Sequence, residues 1–230
     1  MSSMTKPIVV FDLDGTLVDT APDLLDSLNH CLAHAGMAKV DPVALRRFVG
    51  HGARVMIERA FEAQKNLLSP EQLDWLVGLF LEHYSANMPG RSQLFLGAHE
   101  AMHRLTAAGY TLAVCTNKFE ALSVKLLTEL GQADRFAAIC GGDTFSFRKP
   151  DPRHLIETIG RAGGDPDRAV MVGDSRTDID TAKAAGIPVV AVDFGYTDQP
   201  VQTFDPSRVI SHFDELTPDM VQDLIMATAI

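Results

Sequence analysis

Two carboxylates near the start of the chain, Asp12 and Asp14, stand one residue apart directly after an apolar run. The run covers residues 8–11 and is mostly β-branched, which is typical of a buried strand. Buried parallel strands end at the crevice where open α/β sheets bind ligands. Acidic groups this close repel each other unless a cation lies between them, and Gly15 lets the backbone approach an oxyanion. The pattern indicates a divalent metal and a phosphate, although Asp14-Gly15-Thr16 is also compatible with a plain turn.

Further polar side chains follow the strands that we predict later in the chain. Thr116 and Asn117 come directly after one strand, and Lys149 stands just before a helix that begins with proline. Asp174 and Asp178 form a Gly-Asp-x-x-x-Asp pattern after another strand. Taken singly, these residues are also compatible with helix caps or surface charges. Because all of them are expected at one edge of a sheet, together they favour a catalytic site.

Alternating strands and helices in the C-terminal part of the chain position these groups. Strands are predicted over residues 111–115, 137–140, 169–172 and 188–192, and helices over 97–108, 122–130 and 152–161, before Gly186 and after Thr217. This alternation implies right-handed crossovers and a mostly parallel sheet between two layers of helices. The predicted fold class is α/β, with a three-layer Rossmann-like core.

The block of residues 20–88 carries helical patterns and no strand pattern. Its helices are expected to begin near Thr20, at Pro42, near Ala53 and at Pro70, with an interruption at Gly50 and a capping box at Ser69-Pro70-Glu71-Gln72. The block interrupts the sheet directly after the acidic motif. We therefore expect an all-α cap domain over residues 20–88, inserted into a core domain of residues 1–19 and 89–230.

Composition narrows the class of protein. The 230 residues are 46% hydrophobic and 22% charged with a net charge of −10, which argues against nucleic acid or an anionic membrane surface as the main partner. No segment approaches the roughly 20 apolar residues of a membrane span, and no signal segment is evident, so a cytoplasmic location is expected. Cys31, Cys115 and Cys140 are far apart among apolar neighbours and are expected to be reduced core residues.

The polar motifs, taken in order, resemble the four motifs of the haloacid dehalogenase superfamily. They are Asp12-Leu13-Asp14-Gly15-Thr16, Thr116-Asn117, Lys149-Pro150, and Gly173-Asp174 with Asp178. The helical insertion resembles the first cap type of that superfamily. More narrowly, the segments 49–53, 114–118, 141–144, 148–152 and 172–179 resemble the bacterial phosphoglycolate phosphatases. The likeness covers almost the whole chain.

The resemblance implies a phosphatase that works through an aspartyl-phosphate. Asp12 would attack phosphorus, and Asp14 would protonate the leaving alkoxide and then take a proton from the attacking water. Lys149 would pair with Asp12 and with the phosphate. The phosphoryl oxygens would be bound by Thr116 and backbone amides, with Gly15, Thr16 and Asn117 in the substrate-binding set.

The same resemblance implies a Mg²⁺ cofactor, which takes hard oxygen ligands. Its ligands would be Asp12, Asp174 and the main-chain carbonyl of Asp14. Asp178, one helical turn beyond Asp174, is the remaining candidate, although it is better suited to orient a metal-bound water or Lys149 than to bind the ion directly.

Substrate choice is expected to depend on the cap. Phosphoglycolate carries a carboxylate besides its phosphate, so the site needs a second partner for an anion, and the candidates are Arg47, His51 and Arg54. These residues are also compatible with a solvated helix face. Three alternatives stay open: a phosphatase for another small phosphate ester, a sugar phosphomutase, and a catalytically silent binding module. The expected partner is a small phosphorylated metabolite, with the protein a monomer or homodimer.

Overall fold

The computed structural model describes residues 6–42, 52–197 and 199–228. Its strands are β1 (Lys6–Phe11), β2 (Val18–Asp19), β3 (Gln93–Leu94), β4 (Thr111–Cys115), β5 (Ala138–Cys140), β6 (Gly164–Gly173), β7 (Val189–Val192) and β8 (Arg208–Ile210). Its α-helices are α1 (Ala21–His34), α2 (Ala53–Ala63), α3 (Pro70–Ala86), α4 (Ala98–Ala107), α5 (Glu120–Glu129), α6 (Pro152–Arg161), α7 (Arg176–Ala184) and α8 (Pro218–Thr228).

Six strands form one parallel sheet in the order β5-β4-β1-β6-β7-β8. The central strand β1 is buried on both faces, with Val9 and Phe11 in one apolar cluster and Ile8 and Val10 in the other. This two-sided burial explains why its sequence is a continuous apolar run rather than an alternating one. The predicted α/β class with a mostly parallel sheet is confirmed.

Helices α1, α2 and α3 share a third apolar cluster, separate from the two clusters that flank the sheet. Helix α3 begins as predicted, because the Ser69 hydroxyl accepts a hydrogen bond from the Gln72 amide (3.2 Å) and the Gln72 side chain accepts one from the Ser69 amide (3.0 Å). The helix expected from Pro42, with its interruption at Gly50, falls largely outside the described residues.

Several short elements differ from the sequence prediction. Strand β2 precedes α1 in the chain and β3 follows α3, and these two strands pair antiparallel. Strand β8 is an additional strand at one edge of the six-stranded sheet. Strands β2, β3 and β8 have two or three residues each, too few to show a period, and the sequence did not predict them. Strand β6 begins at Gly164 rather than at Ala169, because its polar first half pairs irregularly with the start of β1.

All three cysteines are buried and free of disulfides, as expected. Across the described ranges, no helix has both the length and the apolar character needed to cross a membrane.

Candidate active site

Neighbouring strands bring the predicted polar groups to one edge of the sheet. Asp12 directly follows β1, Thr116 follows β4 and Asp174 follows β6, and these three strands are adjacent. The backbone continues the ladder at two of these positions, since the Asp12 amide donates to Val172 O (2.9 Å) and the Thr116 amide donates to Cys140 O (3.0 Å). Parallel pairing alone therefore gathers these side chains.

A buried ammonium lies between two of the carboxylates. Lys149 Nζ is 3.0 Å from Asp12 Oδ1 and 2.6 Å from Asp178 Oδ1. Burial alone would lower the pKa of Lys149, but the charges of Asp12 and Asp178 raise it above its usual range. Burial raises the pKa of Asp12 to about 6, although Lys149 opposes the shift. Lys149 therefore remains charged and attracts the Asp12 carboxylate.

Asp178 holds this ammonium from the first turn of α7. Its Oδ2 accepts hydrogen bonds from the Asp174 amide (3.2 Å), the Ser175 amide (3.0 Å) and the Ser175 hydroxyl (2.6 Å). Its Oδ1 accepts from Lys149. Both oxygens thus have protein donors, as expected of a group that orients Lys149.

Asp174 is fixed from two directions. Its Oδ1 accepts from the Thr16 hydroxyl (3.0 Å), and its Oδ2 accepts from the Tyr196 amide (2.7 Å). Burial, and then the charges of Asp178 and Asp12, raise the pKa of Asp174 well above its usual range. Protein donors alone therefore leave this carboxylate poorly stabilised as an anion.

The residues present fit a divalent cation. Asp12, Asp174 and Asp178 each offer a carboxylate oxygen, and these oxygens all lie within 4.8 Å of one another. Three buried carboxylates against the single positive charge of Lys149 leave excess negative charge, which a bound cation would neutralise. An all-oxygen donor set suits Mg²⁺ better than a softer metal.

The Asp14 side chain stands apart from this acidic cluster. Its Oδ1 accepts from the Thr20 hydroxyl (2.7 Å), and Lys118 Nζ binds both oxygens, at 2.8 and 2.9 Å. The Lys118 ammonium also lies 4.5 Å from the centroid of the Tyr84 ring. Asp14 was predicted to provide a metal ligand through its main-chain carbonyl, and nothing in this side-chain arrangement conflicts with that prediction.

Gly15 and Thr16 support the acidic cluster. A Cβ on Gly15, whose φ is +84°, would lie 2.4 Å from Asp174 Oδ2, so only glycine permits this approach. Thr16 is fully buried, with its hydroxyl directed at Asp174. Both residues therefore lie against Asp174, and their place in the substrate-binding set stays a prediction.

Thr116 and Asn117 line the same cavity as Asp12, and their contacts with the substrate stay a prediction. The Thr116 hydroxyl accepts from the Lys118 amide (3.2 Å), which shapes the turn after β4. The Asn117 side-chain amide donates to Lys149 O (3.1 Å), so it also fixes the backbone of the buried lysine.

A cavity of about 250 Å³ opens over these groups. Its polar floor consists of Asp12, Asp14, Thr116, Asn117, Lys118, Lys149, Thr177 and Asp178. Much of its wall is apolar and comes from α1, α2, α3 and α5, through Leu24, Met56, Val77, Phe80, Leu81, Tyr84 and Leu122. A space this small suits a compact ligand.

Of the three residues proposed to bind substrate from the cap, Arg47, His51 and Arg54, the structure describes only Arg54. Arg54 lines the cavity, but its guanidinium forms a hydrogen-bonded ion pair with Asp74 and its side chain is half exposed. Arg47 and His51 lie outside the described residues.

Sequence reasoning missed four residues that shape the site. They are Thr20, Tyr84, Lys118 and Tyr196. Lys118 had a usable signal, because it is a cation two residues after Thr116 at the same strand end. Tyr84 had none, since it continues the apolar face of α3 at the spacing of Leu76 and Phe80.

Comparisons with known proteins agree with this geometry. A family model described as haloacid dehalogenase-like hydrolase matches residues 9–192. A phosphoglycolate phosphatase of Mesorhizobium japonicum is 63% identical over 97% of this chain and 99% of its own length. A phosphoglycolate phosphatase of Agrobacterium fabrum is 52% identical over 96% of this chain and 94% of its own.

Solved structures show the same fold. The crystal structure of a predicted phosphoglycolate phosphatase from Haemophilus somnus 129PT superposes with a TM-score of 0.86 at 30% identity, covering 93% of this chain and 98% of that one. CbbY from Rhodobacter sphaeroides, crystallised with phosphate, superposes with a TM-score of 0.81 at 26% identity, covering 95% and 100%. By its sequence, fold and clustered strand-end carboxylates, the chain belongs to the haloacid dehalogenase-like hydrolase family.

Proposed function

We propose that this protein is a Mg²⁺-dependent phosphatase that hydrolyses 2-phosphoglycolate to glycolate and phosphate. The observation that carries the chemistry is the buried Asp12 carboxylate, 3.0 Å from the Lys149 ammonium at the floor of the cavity and beside Asp174. The substrate is proposed from the curated relatives, two of which carry that activity in their names over nearly the full chain.

Asp12 is the proposed nucleophile. One of its carboxylate oxygens forms a bond to phosphorus while the bond from phosphorus to the glycolate oxygen breaks, which leaves an aspartyl-phosphate. Lys149 holds Asp12 in place and offers its charge to the phosphoryl oxygens, with the Thr116 hydroxyl as a further donor. Water then attacks phosphorus, which releases inorganic phosphate and restores the Asp12 carboxylate.

Asp14 is the proposed acid and base. In its protonated form it gives a proton to the departing glycolate oxygen, and as a carboxylate it takes a proton from the attacking water. Its position on the cavity floor, two residues after the nucleophile, supports both roles.

Asp12, Asp174 and the carbonyl of Asp14 are the proposed Mg²⁺ ligands. A bound Mg²⁺ would neutralise the phosphate and the carboxylate that approaches it. Asp178 is proposed as the anchor of Lys149 and as an indirect support of the metal site, because both of its oxygens already accept from protein donors.

The segment of residues 20–88 is the proposed cap domain over a core of residues 1–19 and 89–230. Two observations support this division: α1, α2 and α3 have their own apolar cluster, and they contribute much of the cavity wall. Arg47, His51 and Arg54 stay candidates for binding the second anion of the substrate. A cytoplasmic location and a monomeric or homodimeric state also stay predictions, the latter testable by light scattering after gel filtration.

A substrate panel tests the proposal. Phosphate release is measured from 2-phosphoglycolate, several sugar phosphates, a nucleoside monophosphate and an aryl phosphate, each with Mg²⁺ and with a chelator. We expect a clear preference for 2-phosphoglycolate that disappears in chelator, and no turnover by Asp12→Asn. Metal-dependent activity that is highest on another ester would keep the chemistry and reject the substrate. Activity of the Asp12→Asn variant near the wild-type level would reject the nucleophile.

A further inference from the structure

The Lys118 ammonium has no task in the chemistry proposed above, yet it is one of the most enclosed charges at the site. Its side chain is 6% exposed, and it binds both oxygens of Asp14, at 2.8 and 2.9 Å. It also lines the cavity. A buried cation that occupies both oxygens of the proposed acid stands where the substrate's leaving group must be.

Tyr84 provides a second unassigned polar group at the same place. It lines the cavity from α3, and its ring centroid is 4.5 Å from Lys118 Nζ. The side chain is buried, and its hydroxyl has no hydrogen-bond acceptor among the residues that the structure describes. A buried hydroxyl without an acceptor is costly, so an acceptor brought by a ligand would be favourable here.

Three other cations line the cavity, and none of them forms an ion pair with Asp14 among the residues that the structure describes. Lys149 lies between Asp12 and Asp178. Arg54 pairs with Asp74 at the surface. Arg148 is exposed and forms no ion pair among the described residues. Lys118 differs from these three cations because it is buried and binds Asp14 directly.

The chemistry of the proposed substrate fits this position. In 2-phosphoglycolate the carboxylate carbon is three bonds from phosphorus, so the second anion must lie close to the ester oxygen that Asp14 serves. A charge at the rim of the cavity is poorly placed for so short a molecule. Lys118 and Tyr84 offer an ammonium and a hydroxyl donor beside Asp14.

We propose that Lys118 and Tyr84 form the binding subsite for the carboxylate of the substrate, and that Lys118 exchanges Asp14 for this carboxylate when substrate enters. This inference rests on the proposed function. The exchange moves no proton and breaks no covalent bond. It frees the Asp14 oxygens from the ammonium, so that they can face the ester oxygen only when a carboxylate-bearing substrate is present. Lys118 is thus a specificity-determining residue.

The test compares two esters that differ in the carboxylate alone, 2-phosphoglycolate and ethyl phosphate. The variants are Lys118→Met and Tyr84→Phe. The matched control is Lys125→Met. Lys125 lies in α5 and donates to Ser85 O (2.6 Å) near the end of α3, the helix that carries Tyr84, but it does not line the cavity. All variants are measured with saturating Mg²⁺, and folding is checked by circular dichroism.

We expect Lys118→Met to lower kcat/KM for 2-phosphoglycolate by about 100-fold, as loss of one partner of a buried charge pair does, and mainly through KM. Its kcat/KM for ethyl phosphate should rise above the wild-type level, because Asp14 is then free of the ammonium even when the substrate carries no carboxylate. Tyr84→Phe should lower kcat/KM for 2-phosphoglycolate by about tenfold, since a hydrogen bond to a charged group is lost. Lys125→Met should behave as wild type on both esters.

The outcomes separate this inference from the proposed function. If wild type prefers 2-phosphoglycolate and Lys118→Met keeps that preference, the subsite is wrong and the substrate stands. Equal losses of Lys118→Met on both esters would also overturn the subsite, because they indicate a structural role. Loss of the preference in Arg54→Ala, with its retention in Lys118→Met, would move the subsite to the rim. A wild-type enzyme without the preference would reject the substrate and the subsite together.

Discussion

At the residue scale, the site is dominated by the imbalance between three buried carboxylates and one buried ammonium. Asp12, Asp174 and Asp178 surround Lys149, and burial raises the pKa of both Asp12 and Asp174. The folded chain therefore carries an electrostatic cost at this position, which a bound cation would offset. The two apolar clusters that flank the sheet consist of uncharged residues and carry no such cost.

Replacing Asp174 should remove metal binding without harming the fold. Mg²⁺ at about a hundredfold excess over its Kd stabilises a protein by roughly 2.7 kcal/mol, and Asp174→Asn should lose this stabilisation. Without metal the variant should be at least as stable as wild type, because one buried negative charge is removed. Thermal unfolding with Mg²⁺ and with chelator measures both effects.

Asp178→Asn serves as the comparison. If Asp178 anchors Lys149 rather than the metal, this variant should keep a Mg²⁺-dependent shift in Tm but lose activity by roughly 10- to 100-fold, as outer supports of metal sites do. Complete loss of the shift in Asp178→Asn, with its retention in Asp174→Asn, would reverse the two assignments.

We expect the titration of His154 to contribute to the pH dependence of the free energy of unfolding. It is fully buried, and its Nδ1 accepts from the Lys149 amide (3.2 Å). Burial, and then the charge of Lys149, lowers the pKa of His154 from 6.5 to about 4. As the pH falls, His154 is therefore protonated in the unfolded chain before it is protonated in the folded protein. The contribution of the neutral imidazole to the free energy of unfolding is complete above pH 6.5 and is lost as the pH falls toward 4.

Urea unfolding between pH 7.5 and 4.5 would measure this contribution as the difference between wild type and His154→Gln. Glutamine can still accept from the Lys149 amide but does not titrate. We expect the free energy of unfolding of wild type to fall more steeply with acidification than that of the variant. Parallel curves would show that the imidazole titrates normally in the fold.

At the element scale, helix starts have two different uses in this protein. The capping box of α7 is built from Ser175 and Asp178, and Asp178 also holds Lys149. The Asp178 carboxylate thus caps the N-terminus of α7 and also orients Lys149, a proposed catalytic residue. The capping box of α3, from Ser69 and Gln72, is exposed and neither residue lines the cavity, so we expect it to stabilise the helix only.

Ser69→Ala should therefore lower stability and leave the chemistry intact. Loss of this N-cap should cost about 1 kcal/mol. Thermal unfolding measures the loss, and kcat on an aryl phosphate should stay at the wild-type level. Ser146→Ala, at an exposed loop serine, is the control and should change neither. A kcat that falls with Ser69→Ala would show that the position of α3 is coupled to the reaction.

At the scale of the whole molecule, Tyr196 joins the acidic cluster to the start of the predicted cap. Its amide donates to Asp174, while its hydroxyl donates to Asp19 and accepts from the Ala21 amide (2.9 Å). The same side chain packs into the apolar cluster of α1, α2 and α3. A single residue after β7 thereby contacts both the metal-binding candidate and the segment that leads into α1.

Tyr196→Phe should weaken this connection without removing metal binding. Two hydrogen-bond partners of the hydroxyl, Asp19 and the Ala21 amide, lose a contact, and we expect about 1–2 kcal/mol of destabilisation. The Mg²⁺-dependent shift in Tm should remain, because the contact to Asp174 is made by the backbone. Tyr110→Phe is the control, since its hydroxyl makes longer bonds, at 3.3 and 3.5 Å. Equal destabilisation by the two variants would assign Tyr196 no special role.

The sequence by itself determined the architecture and the identity of the central polar groups. Continuous apolar runs predicted the long strands, and polar residues at their ends predicted Asp12, Thr116, Lys149 and Asp174 at one edge, because parallel strands all end on the same side. Helix starts with strong local chemistry, such as Ser69, were also predictable.

Only the tertiary structure decided which charges meet. The ion pair of Lys118 with Asp14 and the hydrogen bond from the Tyr196 amide to Asp174 join residues that are far apart in the chain. The contact of Asp178 with Lys149 was expected from the family resemblance and from no local pattern. No local period encodes such pairs, and short strands such as β2, β3 and β8 form because distant segments happen to align. The sequence predicted the parts of the site, whereas packing of the sheet edge against α3 and the loop after β7 set their contacts.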